Sequence, residues 1–287
     1  MSNENWMGKH PELGRLRIDQ LILPGSHDSG MDKQAPNYNF RQEVTQDVPC
    51  LAQLRGGIRV LDLRVQAHRS FRPDQPERYQ LYHLKSSGRT VLGDVVMALE
   101  TFYRNPANAK EIVILDLHQF DGFSNEEHSR LQELLEKHLN KRMIDYNLRD
   151  LTLDQLWQQR PGKTVVIAYN GPSSDRYWRG VAHGWIGSNT PSTTKLKAFM
   201  DEWAQKRKQQ RRLPLSSIQC AKYNKLFFTP DDFSDKIDAW FESKDINSYI
   251  QNFRIINTDW SLRSRIVDNC IHANYTLAKD QHKRALG

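Results

Sequence analysis

Short apolar runs alternate with longer helical patterns from one end of this 287-residue chain to the other. Such alternation predicts parallel strands joined by helices. About seven candidate strands without a Gly-x-Gly-x-x-Gly turn fit a barrel better than a dinucleotide-binding sheet. The candidate strands are Ile18–Leu23, Arg59–Val65, Tyr79–His83, Ile112–Gln119, Thr164–Ala168, Ser217–Ala221 and Arg254–Thr258. The candidate helices are Val91–Tyr103, Asn125–Leu139, Leu153–Gln159, Lys195–Arg207, Phe233–Phe241 and Ser264–Lys279.

The length of the chain suits one large domain, because single α/β barrels commonly run to about 250 residues. The sequence contains no internal repeat and no Pro, Gly or Ser linker long enough to mark a boundary. Its three cysteines are far apart and lack zinc spacing, so they indicate neither a disulfide framework nor a metal site. We therefore expect a single α/β barrel domain over residues 1–287.

The formal charge of +7 favours an anionic partner, which could be nucleic acid, anionic lipid or a phosphorylated substrate. Charge alone does not choose among these partners. No apolar stretch approaches the roughly 18 residues that a membrane span requires. The segment 1–17 also lacks the basic-then-apolar order of a signal peptide. We expect a soluble chain that is cytoplasmic or is secreted without a visible leader.

Two of the candidate strands carry charged residues in phase. Asp62 and Arg64 share one face of the second strand, and the aliphatic side chains share the other. Asp116 and His118 are arranged in the same way on the fourth strand. Buried charges must pair or line a wet cavity, and the carboxyl-end mouth of a barrel is such a cavity. The alternative is an internal ion-pair network that closes the barrel end without any chemistry.

Two histidines and an arginine near these strand ends suit phosphodiester cleavage. His27 and His83 can take up and release protons near neutral pH, because ordinary imidazole titrates close to 6.5. Arg64 can clamp the phosphate oxygens as a bidentate donor. A base histidine also needs a carboxylate that fixes its tautomer. Asp259, after the last strand, is the candidate for this role, and Asp28 and Asp62 compete with it.

Several segments of the sequence, which contain the histidines, the arginine and the aspartates just described, resemble the X domain of phosphatidylinositol-specific phospholipase C. They occur in the family's order over nearly the whole chain, and the resemblance is greatest to the bacterial enzymes and to small eukaryotic proteins made of an X domain alone. The segments that carry the resemblance are Leu23–Asp28, Gly57–Arg64, Leu81–His83, Glu111–Asp116 and Asn257–Trp260.

The resemblance implies an irregular TIM barrel that cleaves phosphatidylinositol to diacylglycerol and inositol 1,2-cyclic phosphate. By this resemblance, His27 deprotonates the inositol 2-hydroxyl and His83 protonates the diacylglycerol oxygen. Arg64 stabilises the charge on the phosphoryl group. Asp259 orients His27, and Asp28 supports the proton transfer by His83.

The same positions imply an enzyme that uses no metal and no other cofactor. Calcium-dependent relatives carry Asn after the first histidine and an acidic residue two positions beyond the strand acid, which supplies oxygen ligands. Asp28 and Arg64 stand at those positions in this chain. A guanidinium therefore occupies the place of the metal.

The inositol-binding residues depart from the bacterial pattern. His118 stands where those enzymes have a lysine, and their fifth-strand arginine is replaced near Tyr169. Lys222 and Tyr223 are the nearest candidates for an expected acidic and aromatic pair. The substrate-binding candidates are Asp62, Asp116, His118, Tyr169, Lys222 and Tyr223.

A substrate that lies in a bilayer implies an anionic membrane surface as partner, with aromatic and basic residues around the site. Phe227 with Phe228, and Tyr38 with Phe40, are candidate membrane contacts, although aromatic residues in loops also pack as core. We expect a monomer that does not bind nucleic acid. Two alternatives stay open: another barrel phosphodiesterase acting on phospholipid headgroups, and a noncatalytic barrel that binds anionic lipid.

Overall fold

A computed structural model of the chain describes residues 3–37, 43–188, 191–208, 215–222 and 230–286. The strands are β1 (Leu23–Ser26), β2 (Val60–Ala67), β3 (Tyr79–His83), β4 (Lys85–Thr90), β5 (Val113–Asp121), β6 (Val165–Tyr169), β7 (Trp178–Arg179), β8 (Ala182–Gly184), β9 (Ser216–Cys220) and β10 (Ile255–Thr258). The α-helices are α1 (Trp6–Lys9), α2 (Cys50–Arg55), α3 (Met97–Phe102), α4 (Asn125–Leu139), α5 (Leu153–Gln159), α6 (Thr193–Lys208), α7 (Ser234–Trp240) and α8 (Ile266–Leu286).

Eight of these strands form one curled parallel sheet in the order β7-β6-β5-β2-β1-β10-β9-β8. The first and last sequence elements of this sheet, β1 and β10, are neighbours in its middle. Among the described strands no ladder joins β7 to β8, so the barrel is open at that seam. The predicted α/β class and irregular TIM-barrel architecture are confirmed. Across the described ranges, every helix falls short of the length and apolar character that crossing a membrane demands.

Strand alternation gives the sheet an apolar outer face. Leu61, Leu63 and Val65 of β2 and Leu115 and Leu117 of β5 are all buried in the core between the strands and the helices. This arrangement follows the predicted division of the two strands into an aliphatic face and a charged face. The charged face therefore points into the barrel.

The barrel interior changes from apolar to charged along its axis. At the amino ends of the strands, Val60 pairs in register with Ile114, which pairs with Val166, and all three belong to one buried cluster. One step further toward the carboxyl ends, Asp62 pairs with Asp116, and both are fully buried. The polar end of the interior is thus supported from below by an apolar layer.

The segment before β1 closes the amino end of the barrel. Trp6 and Leu13 pack in the same buried cluster as the interior valines. The predicted strand Ile18–Leu23 is wrong: its start forms a 3-10 turn, and the strand begins only at Leu23. The reason is that Ile18 and its apolar neighbours bury themselves in the cluster beneath the barrel instead of pairing with a strand.

The predicted strand Tyr79–His83 has the expected bounds but lies outside the parallel barrel. It runs antiparallel to the carboxyl-terminal half of β2, with Val65 opposite Leu81, and it continues into β4. Antiparallel pairing reverses the chain direction, so this hairpin returns His83 to the barrel mouth. The hairpin thereby brings a residue that follows no barrel strand to the carboxyl end of the barrel.

Candidate active site

His27 and Asp259 meet because they follow adjacent strands at the same end of the barrel. Ser26 at the end of β1 is in register with Thr258 at the end of β10. His27 Nδ1 lies 2.8 Å from Asp259 Oδ1, and both side chains are buried. Close approach of the two strands requires Gly25, because a Cβ there would lie 1.9 Å from the Oδ1 atom of a neighbouring asparagine. The carboxylate fixes Nδ1 as the donor and leaves Nε2 as the reactive nitrogen.

A second buried carboxylate, Asp28, joins the remaining predicted catalytic groups. Its Oδ1 lies 2.7 Å from Arg64 Nε, and its Oδ2 lies 3.6 Å from His27 Nε2 and 3.7 Å from His83 Nδ1. Arg64 Nη2 also lies 3.4 Å from His27 Nε2. The guanidinium and both imidazoles therefore surround one carboxylate at the barrel mouth.

The burial and the charges of this cluster shift the pKa values of the two histidines in opposite directions. Burial alone lowers the pKa of His27, but Asp28 and Asp259 outweigh it and raise the pKa to about 9. Burial lowers the pKa of His83 to about 4, against the opposing attraction of Asp28. Burial opposes the ionisation of Asp28, yet Arg64 and His27 hold its pKa below the usual range. At neutral pH these pKa values place the proton of the site on His27 and leave His83 neutral.

Two further histidine–carboxylate pairs form the floor of the site. His118 Nε2 lies 2.5 Å from Asp62 Oδ1, and His183 Nε2 lies 2.9 Å from Asp116 Oδ2. The two imidazole rings are tilted against each other with their centroids 4.4 Å apart. Burial raises the pKa of Asp62, but His118 and His183 outweigh it and hold this pKa well below the usual range. Burial lowers the pKa of His183, and Asp116 more than compensates, so its pKa is raised.

These groups open into one cavity of about 430 Å³. A cavity of this size is typical of a small-molecule site, and its wall combines acid–base groups, a guanidinium and side-chain amides. Such a wall can hold a phosphate ester beside two proton carriers. The lining residues are His27, Arg64, His83, His118, Gln119, Asn170, His183, Trp185 and Gln219.

Backbone strain concentrates around this cavity. In the part of the chain that the structure describes, the non-glycine residues with positive φ are Asp28, Leu84 and Trp260, at 43°, 58° and 50°. Each of them directly follows one of the predicted catalytic residues. Left-handed backbone is rare for such residues and commonly marks a functional site.

Trp260 anchors the turn that carries Asp259. Its backbone N–H donates to the Thr45 carbonyl at 2.7 Å, and its ring centroid lies 4.8 Å from Lys33 Nζ and 4.3 Å from Arg263 Cζ. Both cations also pair with Asp47. A backbone hydrogen bond and two cation–π contacts thus hold the turn in place. They thereby fix the orientation of the Asp259 carboxylate.

A cation-binding set also exists in this cluster. His27, Asp28 and Asp62 have ligand atoms within 4.8 Å of one another. However, the guanidinium of Arg64 lies against Asp28 and beside His27 Nε2. A fixed positive charge at this place opposes the binding of a divalent ion there, so the residues fit a metal poorly.

Comparison with known proteins agrees with the sequence resemblance. No protein-family model matches the chain. The chain is 29% identical to PI-PLC X domain-containing protein 1 of Danio rerio, over 66% of this chain and 67% of that protein. It is 27% identical to PI-PLC X domain-containing protein 2 of Homo sapiens, over 69% and 71% respectively. These relatives confirm the resemblance to the PI-PLC X-domain family.

Solved structures of phosphatidylinositol-specific phospholipases C share this fold. A variant of phosphatidylinositol-specific phospholipase C from Staphylococcus aureus superposes with a TM-score of 0.70 at 15% identity, over 95% of this chain and 98% of that one. The enzyme from Listeria monocytogenes gives 0.69 at 16% identity, over 95% and 99%. The barrel therefore has the same shape as theirs despite low sequence identity.

The structure corrects two substrate-binding predictions for this barrel. Tyr169 is buried on the outer side of the sheet, where its hydroxyl lies 2.9 Å from His128 Nδ1. Strand alternation gives the cavity-lining position to the next residue, Asn170. The side chain of Lys222 pairs with Asp231, and the cavity wall does not include it.

The backbone of Lys222 nevertheless supports the site, because its N–H donates to Asp259 Oδ2 at 3.2 Å.

Five further predicted residues have no described position. The candidates Tyr223, Phe227, Phe228, Tyr38 and Phe40 lie outside the described residues.

The sequence-based predictions missed five of the residues that line the cavity: Gln119, Asn170, His183, Trp185 and Gln219. Asn170 lies two residues after a predicted strand, and Gln219 shares one face of another predicted strand with Ser217, so both carried a readable signal. His183 carried none, because β8 is only three residues long and contains no aliphatic run.

Proposed function

We propose that this X-domain protein is a metal-independent phospholipase C that cleaves phosphatidylinositol to diacylglycerol and inositol 1,2-cyclic phosphate. The observation that carries the proposal is the buried His27–Asp259 pair facing Arg64 across the cavity mouth. The family's name and the substrate named for the two bacterial neighbours support the same activity.

In the first step, the inositol 2-hydroxyl loses its proton to His27 Nε2. Its oxygen then forms a bond to phosphorus, and the bond from phosphorus to the diacylglycerol oxygen breaks. Arg64 lies beside Nε2, so it holds the nonbridging oxygens next to the attacking group. His83 gives its proton to the departing oxygen, which leaves as the hydroxyl of diacylglycerol.

The proton must be moved before this step can occur. The pKa of about 9 keeps the proton on His27, whereas the step needs His27 neutral and His83 protonated. Asp28 lies within 3.7 Å of both imidazoles, which places it between donor and acceptor. The anionic phosphodiester additionally favours a proton on His83, because it brings negative charge to the cavity mouth. The reactive form is therefore a minority of the singly protonated site.

The floor of the cavity binds the inositol ring. His118, His183, Asn170 and Gln219 present imidazole and amide groups, which can both donate and accept hydrogen bonds. Ring hydroxyls do the same, so these groups suit a polyol better than a trimethylammonium headgroup. Buried Asp62 and Asp116 hold the two imidazoles in fixed orientations.

Product analysis with the purified protein tests the proposal. Vesicles containing phosphatidylinositol, phosphatidylcholine and phosphatidylglycerol are incubated with the protein, and the released headgroups are identified by phosphorus NMR. Diacylglycerol with inositol 1,2-cyclic phosphate supports the proposal. Phosphocholine or glycerol phosphate would instead indicate a different phosphodiesterase, and vesicle binding without release would indicate a noncatalytic lipid-binding barrel. The His27→Ala variant is the control for contaminating activity.

A further inference from the structure

The turn between β3 and β4 carries an exposed leucine in a strained conformation. Leu84 has φ of 58°, and 76% of its side chain is exposed. It lies between His83, which lines the cavity, and Lys85, which is exposed. A tight turn with left-handed backbone is ordinarily occupied by glycine or asparagine.

The fold gains nothing visible from a leucine at this position. An exposed side chain contributes no burial, and the left-handed backbone of a residue with a branched side chain is unfavourable. Asparagine would adopt the same backbone with less strain. We therefore expect that the side chain of Leu84 is covered by another surface while the protein functions.

A second exposed apolar side chain lies at the same cavity. Trp185 directly follows β8, lines the cavity, and is 51% exposed. Exposed large apolar residues are few in the described part of the chain, and they are Leu84, Met97, Trp185, Ile246 and Leu262. Two of these five thus adjoin the cavity mouth.

We propose that Leu84 and Trp185 are lipid contacts, which enter the interface of a phosphatidylinositol-containing bilayer on either side of the cavity. This inference rests on the proposed function, because His83 protonates the diacylglycerol oxygen and the residue after it therefore lies on the acyl-chain side. Tryptophan is favoured at membrane interfaces, and the adjacent Lys85 places a positive charge where anionic headgroups lie. Neither residue was among the predicted membrane contacts.

The test compares variants that keep the turn and change only its polarity. Leu84→Asn retains the left-handed conformation and removes the apolar surface, whereas Leu84→Met keeps an apolar side chain. Ile246→Asn is the matched control, because Ile246 is 95% exposed and lies in the connection that leads to the amino end of β10. Binding is measured by sedimentation with vesicles of phosphatidylcholine and phosphatidylinositol. Cleavage of a soluble nitrophenyl ester of inositol 1-phosphate is measured in parallel, since that substrate has no acyl chains.

We expect Leu84→Asn to bind vesicles about tenfold more weakly. The transfer of a leucine side chain from an apolar phase to water is unfavourable by at least the free energy that corresponds to this factor. Trp185→Gln should weaken binding to a similar degree, while Leu84→Met and Ile246→Asn bind as the unaltered protein does. Leu84→Asn should cleave the soluble nitrophenyl ester at an unchanged rate and unfold at no lower temperature. Unchanged vesicle binding by Leu84→Asn, or an equal loss in Ile246→Asn, would overturn the proposal. A protein that binds vesicles but releases no product would refute the proposed function alone, because the binding comparison does not depend on turnover.

Discussion

Replacing Asp259 with asparagine removes one charge and leaves the size of the side chain nearly unchanged. The carboxylate lies 2.8 Å from His27 Nδ1, and its side chain is 1% exposed. With Asp28, it raises the pKa of His27 from 6.5 to about 9 against the effect of burial. That difference corresponds to about 3 kcal/mol in favour of the imidazolium. Without Asp259, a substantial part of this energy is lost.

Two changes in the kinetics follow from this loss. The alkaline limb of the kcat/KM profile should move from about pH 9 toward neutrality, because less energy holds the proton on His27. The acid limb near pH 4 should stay in place, because it reports His83. The kcat should fall on the order of 10²- to 10⁴-fold, because the asparagine amide can donate to Nδ1 and so force the proton onto Nε2.

The assay is the hydrolysis of phosphatidylinositol in mixed micelles, measured from below pH 4 to above pH 9. Asp268→Asn is the matched control, because Asp268 is exposed on α8. It should leave both limbs unchanged. An Asp259→Asn enzyme with the normal alkaline limb, or with a kcat within a few-fold of the unaltered protein, would refute the role of Asp259.

Three further outcomes are expected. Turnover should be unaffected by EDTA and EGTA, because the guanidinium of Arg64 supplies the positive charge at the phosphate. A loss of activity that calcium restores would contradict this prediction. The free energy of unfolding should be highest near pH 6.5 in urea titrations. Because the pKa of His27 is raised, its protonation stabilises the fold fully below pH 6.5, and this stabilisation is lost as the pH rises to about 9. Because the pKa of His83 is lowered, its protonation destabilises the fold as the pH falls from 6.5 to about 4. Each effect amounts to about 3 kcal/mol. A flat stability profile over that range would contradict the two pKa values. Trp260→Ala should lower the free energy of unfolding by about 3 to 5 kcal/mol and reduce kcat, whereas normal kcat in a stably folded variant would show that the turn does not direct Asp259.

The sequence was sufficient for the barrel and for the cluster of polar groups at its mouth, because both leave local patterns. Alternation on β2 and β5 separated the aliphatic face from the charged face, and strand ends marked where polar side chains collect. His27 and Asp259 are 232 residues apart. They could still be paired, because each follows a strand and carboxyl ends of parallel strands share one edge.

The remaining features depended on packing that the sequence pattern does not encode. Residues Ile18–Leu21 have the apolar character of a strand, but they lie beneath the barrel and leave β1 to start at Leu23. His183 reaches the floor from a strand too short to show any period. Leu84 gained its significance only when its φ and exposure were known.

The central claim is that His27 acts as the base and His83 as the acid, and the leaving group tests it most directly. A nitrophenyl ester of inositol 1-phosphate releases nitrophenolate, which departs without a proton. We expect His83→Ala to lose on the order of 10²- to 10⁴-fold in kcat on phosphatidylinositol and to recover most of that loss on the nitrophenyl ester. His27→Ala should remain impaired on both substrates. Recovery of His27→Ala on the ester, with His83→Ala still impaired, would contradict the assignment and reverse the two roles.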